Sequence, residues 1–140
     1  MGILSDFFIA GGDEVPHYNG GRGFAPEDVC AAKRITPLEA GGMLAVIRGG
    51  GDPVALIDEF QLVTPQEAED WTMSVPQDMV DALAALEDAA IPAMSKKFAH
   101  ATAEELGWSQ ADFEPLVINL RALAKRAQDQ GKAMYLWNCM

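Results

Sequence analysis

The sequence predicts an α+β fold: a small mixed or antiparallel sheet that includes the N- and C-terminal strands, packed with about four to six helices. Three observations lead there. The chain opens on a nearly continuous apolar run, Ile3-Leu4 and Phe7-Phe8-Ile9. It closes on Met134-Tyr135-Leu136-Trp137-Asn138-Cys139, which is largely apolar on both sides of a strand and so suits the interior of a sheet. Between these two strands lie several segments with apolar residues at helical spacing, most of them opened by proline or a capping residue. With 140 residues, residues 1–140 read as a single domain able to bury one core.

Taken in order, Ile3 to Ala10 reads as the first strand, ended by Gly11-Gly12-Asp13. Residues 11–35 are irregular, broken by Pro16, Gly20-Gly21-Arg22-Gly23 and Pro26, with a short helix expected over Pro26–Ala32. A connection of this length marks either a functional loop or a missed element. Thr36-Pro37-Leu38-Glu39 starts a helix: Thr36 caps it, Pro37 takes the first position and Glu39 reaches back to the cap. Ala40, Met43, Leu44 and Ile47 share one face of it. Gly41-Gly42 sits inside that helix at a cost of about 1 kcal/mol per glycine, which implies close approach of another backbone.

Asp52-Pro53 starts a short helix over Val54–Asp58, and Phe60–Val63 is briefly extended. Thr64-Pro65-Gln66-Glu67 repeats the capping signature before a turn ending near Trp71. Trp71, Met73 and Val75 then alternate as an extended segment does. Ser74-Val75-Pro76-Gln77 reads as a third capping box, opening a helix lined by Met79, Val80, Leu83 and Leu86. Ile91, Met94, Phe98 and Ala101 stripe the next helix, and Gly107 ends a single turn begun at Thr102. The longest helix is expected to begin at Phe113 with Asp112 as its cap, because a start at Ser109 would bury Pro115 too deep. Leu116, Val117, Leu120, Leu123, Ala124 and Ala127 form its stripe, Arg121, Lys125 and Arg126 lie toward its C-terminal end, and Gly131 stops it.

The charge restricts function. The formal net charge is −11, and it is uneven: residues 1–95 hold 16 acids and 4 bases, residues 96–140 hold 5 acids and 6 bases. Such a field disfavours nucleic-acid backbone and anionic lipid and suits a basic protein partner. No apolar run reaches the length that spans a bilayer, and the start lacks a basic n-region, so a cytoplasmic location is expected. Cys30 and Cys139 then read as reduced thiols.

No side-chain set carries recognisable chemistry. His17, His100, Cys30 and Cys139 are far apart and match no metal-ligand spacing, so neither metal nor cofactor is expected. Cys30 has no local signature of a nucleophile and reads as a small hydrophobe; His100 reads as a polar-face residue. The acid pairs Asp58-Glu59, Glu69-Asp70, Glu87-Asp88 and Glu104-Glu105 fall on polar faces or helix ends. Arg22 and Arg48 lie beside glycine runs, a hint of an anion contact without any phosphate-loop pattern. Trp71, Trp108 and Trp137 read as core.

Three stretches resemble a known family. Met1-Gly-Ile-Leu-Ser-Asp-Phe-Phe8 looks like the first strand of the YfbM-like family of bacterial domains of unknown function. Val75-Pro-Gln-Asp-Met-Val80 with Leu83-Ala-Ala-Leu86 is similar to its Thr-Pro-Glu-Glu-Val helix start, with Val75 at the family's threonine. Leu123 to Trp137 resembles its closing helix, glycine and strand. The likeness covers about half the chain, leaves out residues 11–62 and rests on structural motifs of low specificity. It implies an α+β domain with a small sheet and says nothing of an activity.

The expectation from the residues is a non-catalytic acidic domain that binds another protein, in its most concrete form an immunity-type domain against a basic partner. The alternative is a small-molecule-binding protein or enzyme with its site in the Gly/Pro-rich loop 11–35. Candidate ligand or partner contacts are His17, Tyr18, Arg22 and Arg48.

Overall fold

The computed structural model describes residues 4–13, 15–18, 23–63 and 70–139. Its centre is the pairing of the two terminal strands. β1 (Leu4–Ala10) and β5 (Ala133–Cys139) run antiparallel over their whole length, from Leu4 opposite Cys139 to Ala10 opposite Ala133. β2 (Val29–Ala31) pairs with the outer side of β1; β4 (Asp70–Ser74) pairs with β5, and β3 (Gln61–Leu62) with β4. The result is an antiparallel sheet in the order β2-β1-β5-β4-β3, with β5 in the middle. Five helices complete the α+β fold: α1 (Pro37–Ile47), α2 (Pro53–Leu56), α3 (Gln77–Ala84), α4 (Ile91–Ala101) and α5 (Gln110–Gln130).

Side chains of a strand alternate between faces, so the two faces of this sheet have separate covers. Phe7 and Ile9 of β1 and Met134 and Leu136 of β5 face the helices, in one core with Met43, Leu44, Leu83, Phe98, Phe113 and Leu120. Phe8, Ala10 and Trp137 face the other way, where Val15, Tyr18 and Phe24 of the irregular segment cover them. The two-sided burial read from the sequence of both terminal strands is therefore met by helices on one face and by a loop on the other.

Two buried polar side chains fix the turn between β2 and α1. Ser5 and Asn138 are opposite each other on the helix side, 3% and 0% exposed. The Ser5 carbonyl accepts from the Ala32 and Lys33 amides, its hydroxyl accepts from the Ile35 amide at 3.0 Å, and the Asn138 side-chain amide donates to the Ile35 carbonyl at 2.8 Å. Between these anchors Lys33 and Arg34 both adopt positive φ, 50° and 58°, a conformation disfavoured for side-chain-bearing residues and held here by the surrounding bonds.

Several local expectations are corrected. Residues 26–32 do not form a helix: Pro26–Asp28 is a 3-10 turn, and Val29-Cys30-Ala31 is β2. Pairing with β1 settles the conformation of three residues too few to show a period. Ser74 ends β4 and caps nothing; Pro76 is the cap of α3, without a side-chain bond. Thr36 occupies the cap of α1, but its hydroxyl donates to the Glu39 carboxylate at 2.7 Å and leaves the backbone uncapped by side chains. The short helix begins at Pro53 and passes into a 3-10 turn, Ile57–Glu59. The capping signal at Thr64–Glu67 lies outside the described residues.

The longest helix begins earlier than expected. Ser109 and Asp112 form a reciprocal capping box, so α5 starts at Gln110 and contains Pro115. Proline removes one i to i−4 bond, here to Ala111, but both residues are exposed, so water reaches the freed carbonyl. Against that loss stand two satisfied amides and the burial of Phe113, which packs on Trp108 at 5.1 Å and Phe98 at 6.0 Å between ring centroids. Gly131 ends α5 in the left-handed conformation, φ 63°.

The glycine pair of α1 behaves as its position implies. A β-carbon on Gly41 would lie 2.5 Å from the Pro53 carbonyl oxygen, and one on Gly42 would lie 3.3 Å from a Thr102 methyl. Gly41→Ala should therefore lower stability by about 1–3 kcal/mol despite alanine's better helix propensity, and Gly42→Ala by less, because a side-chain methyl can yield where a backbone cannot. Ser5→Ala should cost about 1–3 kcal/mol, because it leaves the Ile35 amide buried without an acceptor. Urea unfolding of the three variants checks both expectations.

Candidate functional site

The loop that sequence marks as the first place to look is largely a structural cover. Tyr18 stacks on Phe8 with ring centroids 3.8 Å apart and planes within 8°, and it meets Phe24 and Trp137 edge-on at 5.0 and 5.5 Å. Its hydroxyl donates to the Asp6 carboxylate at 2.6 Å. Burial, and then the bond and charge of Asp6, raise the phenol well above its ordinary range. Trp137 likewise donates its indole N–H to Asp70 at 2.7 Å. Both carboxylates on this face thus serve as acceptors for buried aromatic groups.

The remaining candidates do not join Tyr18. Arg48 follows the last turn of α1, in the helical layer, and is already engaged. It donates to both carboxylate oxygens of Asp78, at 2.8 and 3.2 Å, and to Glu59 at 2.6 Å. These bonds raise the guanidinium's pKa and hold the Asp78 carboxyl below the usual carboxylate value. His17 ends the 3-10 turn Val15–His17. Its side chain, like the whole of Arg22, lies outside the described part of the chain. Cys30 faces the helices, on the opposite side of the sheet from Tyr18. Burial, with a smaller contribution from Asp6, pushes its thiol up to about 12. A thiol so placed is protonated at neutral pH and is no nucleophile. His100 is exposed on α4, and Glu87-Asp88 and Glu104-Glu105 are exposed as their polar faces implied. Among the described residues, no three His, Cys, Asp or Glu side chains converge as a metal site.

What stands out instead is a long stretch of chain without cations of its own. No lysine or arginine occurs between Arg48 and Lys96, while acids recur throughout that stretch. Arg48 answers Glu59 and Asp78, and Arg121 answers Asp88 at 2.5 Å. Asp52 caps α2 by accepting from the Val54 amide at 3.1 Å, and Asp58 is exposed on the following turn. Beside these acids, Val54, Leu62 and Val63 are 63%, 37% and 46% exposed. The segment from Asp52 to Val63 thus carries apolar side chains among carboxylates at the β3 edge of the sheet. The signal was present in the sequence as a gap between cations, and averaging the charge over residues 1–95 hid it.

The basic residues of α5 act at longer range than a helix dipole would require. Arg126 reaches Asp28 beside β2 at 2.5 Å, and Arg121 reaches Asp88 ahead of α4. They tie the helix to neighbouring segments. No helix among the described residues is long and apolar enough to cross a membrane.

The thiols test this placement. Cys30 should alkylate far more slowly than the half-exposed Cys139 in the native protein, and at the same rate after unfolding. The raised values of Cys30 and Tyr18 belong to the folded state. Their stabilising contribution is complete below the unfolded values of 9.0 and 10.0 and is lost as pH rises through the folded ones. The urea midpoint should fall from about pH 9 upward, and less steeply in Cys30→Ala.

Compared with known proteins, the chain has no match: no family model, no curated protein and no solved structure corresponds to it.

Proposed function

We propose that this chain is a non-catalytic protein-binding domain with a basic partner, its most concrete form being an immunity-type domain that engages a positively charged protein. The observation that carries the reading is the segment Asp52 to Val63, which has no lysine or arginine of its own, leaves Asp52 and Asp58 without an ion pair among the described residues, and exposes Val54, Leu62 and Val63. Exposed apolar side chains with polar residues beside them suit a recognition surface, and a net charge of −11 would speed the approach of a cationic partner. The kinship with YfbM-like domains belongs to the same proposal and adds no chemistry to it. A small-molecule site in the loop draws no support from the placement of Tyr18 and Cys30 on opposite faces of the sheet.

The test is capture of partners from native lysate by the intact chain, compared at low and high ionic strength and between two charge-reversed variants. Asp52→Lys with Asp58→Lys should weaken retention of a basic protein at least tenfold, about 1.4 kcal/mol, and Val54→Ser should weaken it further. Glu104→Lys with Glu105→Lys makes the same charge change elsewhere and should leave most of the binding. Retention indifferent to salt, or equal loss in both double variants, would sink the reading.

A further inference from the structure

The edge of the sheet at β2 is open toward a cleft, and the phase of its hydrogen bonds shows what it offers. The Ala32 amide donates to the Ser5 carbonyl at 2.9 Å, so Ser5 and Ala32 are a bonded pair. Bonded and non-bonded pairs alternate along an antiparallel ladder. Phe7 with Cys30 is then bonded, and Asp6 with Ala31 and Phe8 with Val29 are not. The amide and carbonyl of Ala31 and the carbonyl of Val29 therefore point away from β1. The Val29 amide is turned back onto the Pro26 carbonyl. Ala31 is exposed, and no described residue bonds its outward groups.

Two cavities, of about 480 and 410 Å³, meet along this edge and share Ala31 and Asn119. The second touches Val29, Cys30 and Ala31 in succession. Their side chains alternate between faces, so the cleft follows the backbone edge rather than either face. Its wall is α5: Asn119, Ala122, Leu123 and Arg126 recur at helical spacing along it. The Arg126–Asp28 ion pair holds α5 to the start of β2 and fixes that end of the cleft. From Asp112 to Arg126 the wall is about 21 Å long, room for roughly six extended residues.

We propose that this cleft receives an extended segment of a partner protein, which adds to β2 as a sixth, antiparallel strand. Unpaired main-chain groups spaced along an edge are a template for another strand. An antiparallel addition agrees with the rest of the sheet and sets the direction: the segment enters at the Lys33 end and leaves at the Glu27 end. Lys33 has no ion-pair partner among the described residues, so charge complementarity favours an acid early in the segment; at the other end Glu27 already lies in the field of Arg126, so the preference for a base late in the segment is the weaker of the two. The site is separate from the acidic surface at Asp52 to Val63 and stands or falls independently of it.

A displayed library of random peptides, panned on the full chain, tests the proposal. The expected binders carry the acid-first, base-last order, and Ala31→Pro weakens them at least tenfold, because it removes an outward amide that β1 does not use. Ala122→Trp, an exposed substitution on the wall, should do the same by filling the cleft, and it serves if the proline variant fails to fold. Binding should slow hydrogen exchange at the Ala31 amide and should survive Asp52→Lys with Asp58→Lys. Recovery of no peptide, or of peptides indifferent to both cleft substitutions, overturns the proposal. Binders lost on charge reversal at Asp52 and Asp58 overturn it too, since they would belong to the acidic surface instead.

Discussion

A central strand with two apolar sides forces most of this architecture. β5 has β1 on one side and β4 on the other, so its backbone is satisfied along its length, and its side chains need cover above and below. Met134 and Leu136 receive it from the helices. Trp137 receives it from Tyr18 and its neighbours in the irregular segment. Among the described residues that second cover has only one 3-10 turn of its own; its Tyr18 ring is tied to Asp6, while Asp70 binds the indole of the covered Trp137. The carboxylates that might suggest acid–base chemistry on this face are committed to holding the cover in place.

What could be read from the sequence follows from how far each signal extends. The terminal strands were legible because continuous apolar runs say that both faces are buried, whatever buries them. Gly41 and Gly42 announced a close helix contact because nothing else explains two glycines in a helix interior, and the Pro53 carbonyl and Thr102 methyl are that contact. β2 was not legible. Three residues between a turn and a bend have no period, and only the partner strand makes them extended. The start of α5 misled for another reason. The proline rule was outweighed here: the Ser109–Asp112 capping box and the burial of Phe113 favour the earlier start, and Ala111 and Pro115 lie on the solvent side.

The surfaces divide in the same way. The cation gap between Arg48 and Lys96 is a property of sequence alone. That Val54, Leu62 and Val63 within it are exposed depends on α2 and β3 being short. Arg48 looked like an anion contact because it follows a helix and precedes three glycines. Folding brings Glu59 and Asp78 to it from segments 11 and 30 residues away, and so uses the charge internally. The cleft beside β2 could not be foreseen at all. It depends on which of two alternating sets of amides faces outward, and a shift of one residue in register would exchange them.

The two edges of the sheet end differently, and the difference bears on recognition. β3 is two residues long and offers little ladder to a neighbouring strand, so its edge can recognise a partner mainly through side chains. β2 offers main-chain groups beside a cleft walled by α5. In the order β2-β1-β5-β4-β3 these edges are as far apart as the sheet allows. Recognition through charged side chains would respond to salt and charge reversal, whereas recognition through main-chain groups would respond to proline and to cleft filling. On the two proposals, a charged partner and an extended segment would bind at opposite edges of the sheet and would not compete.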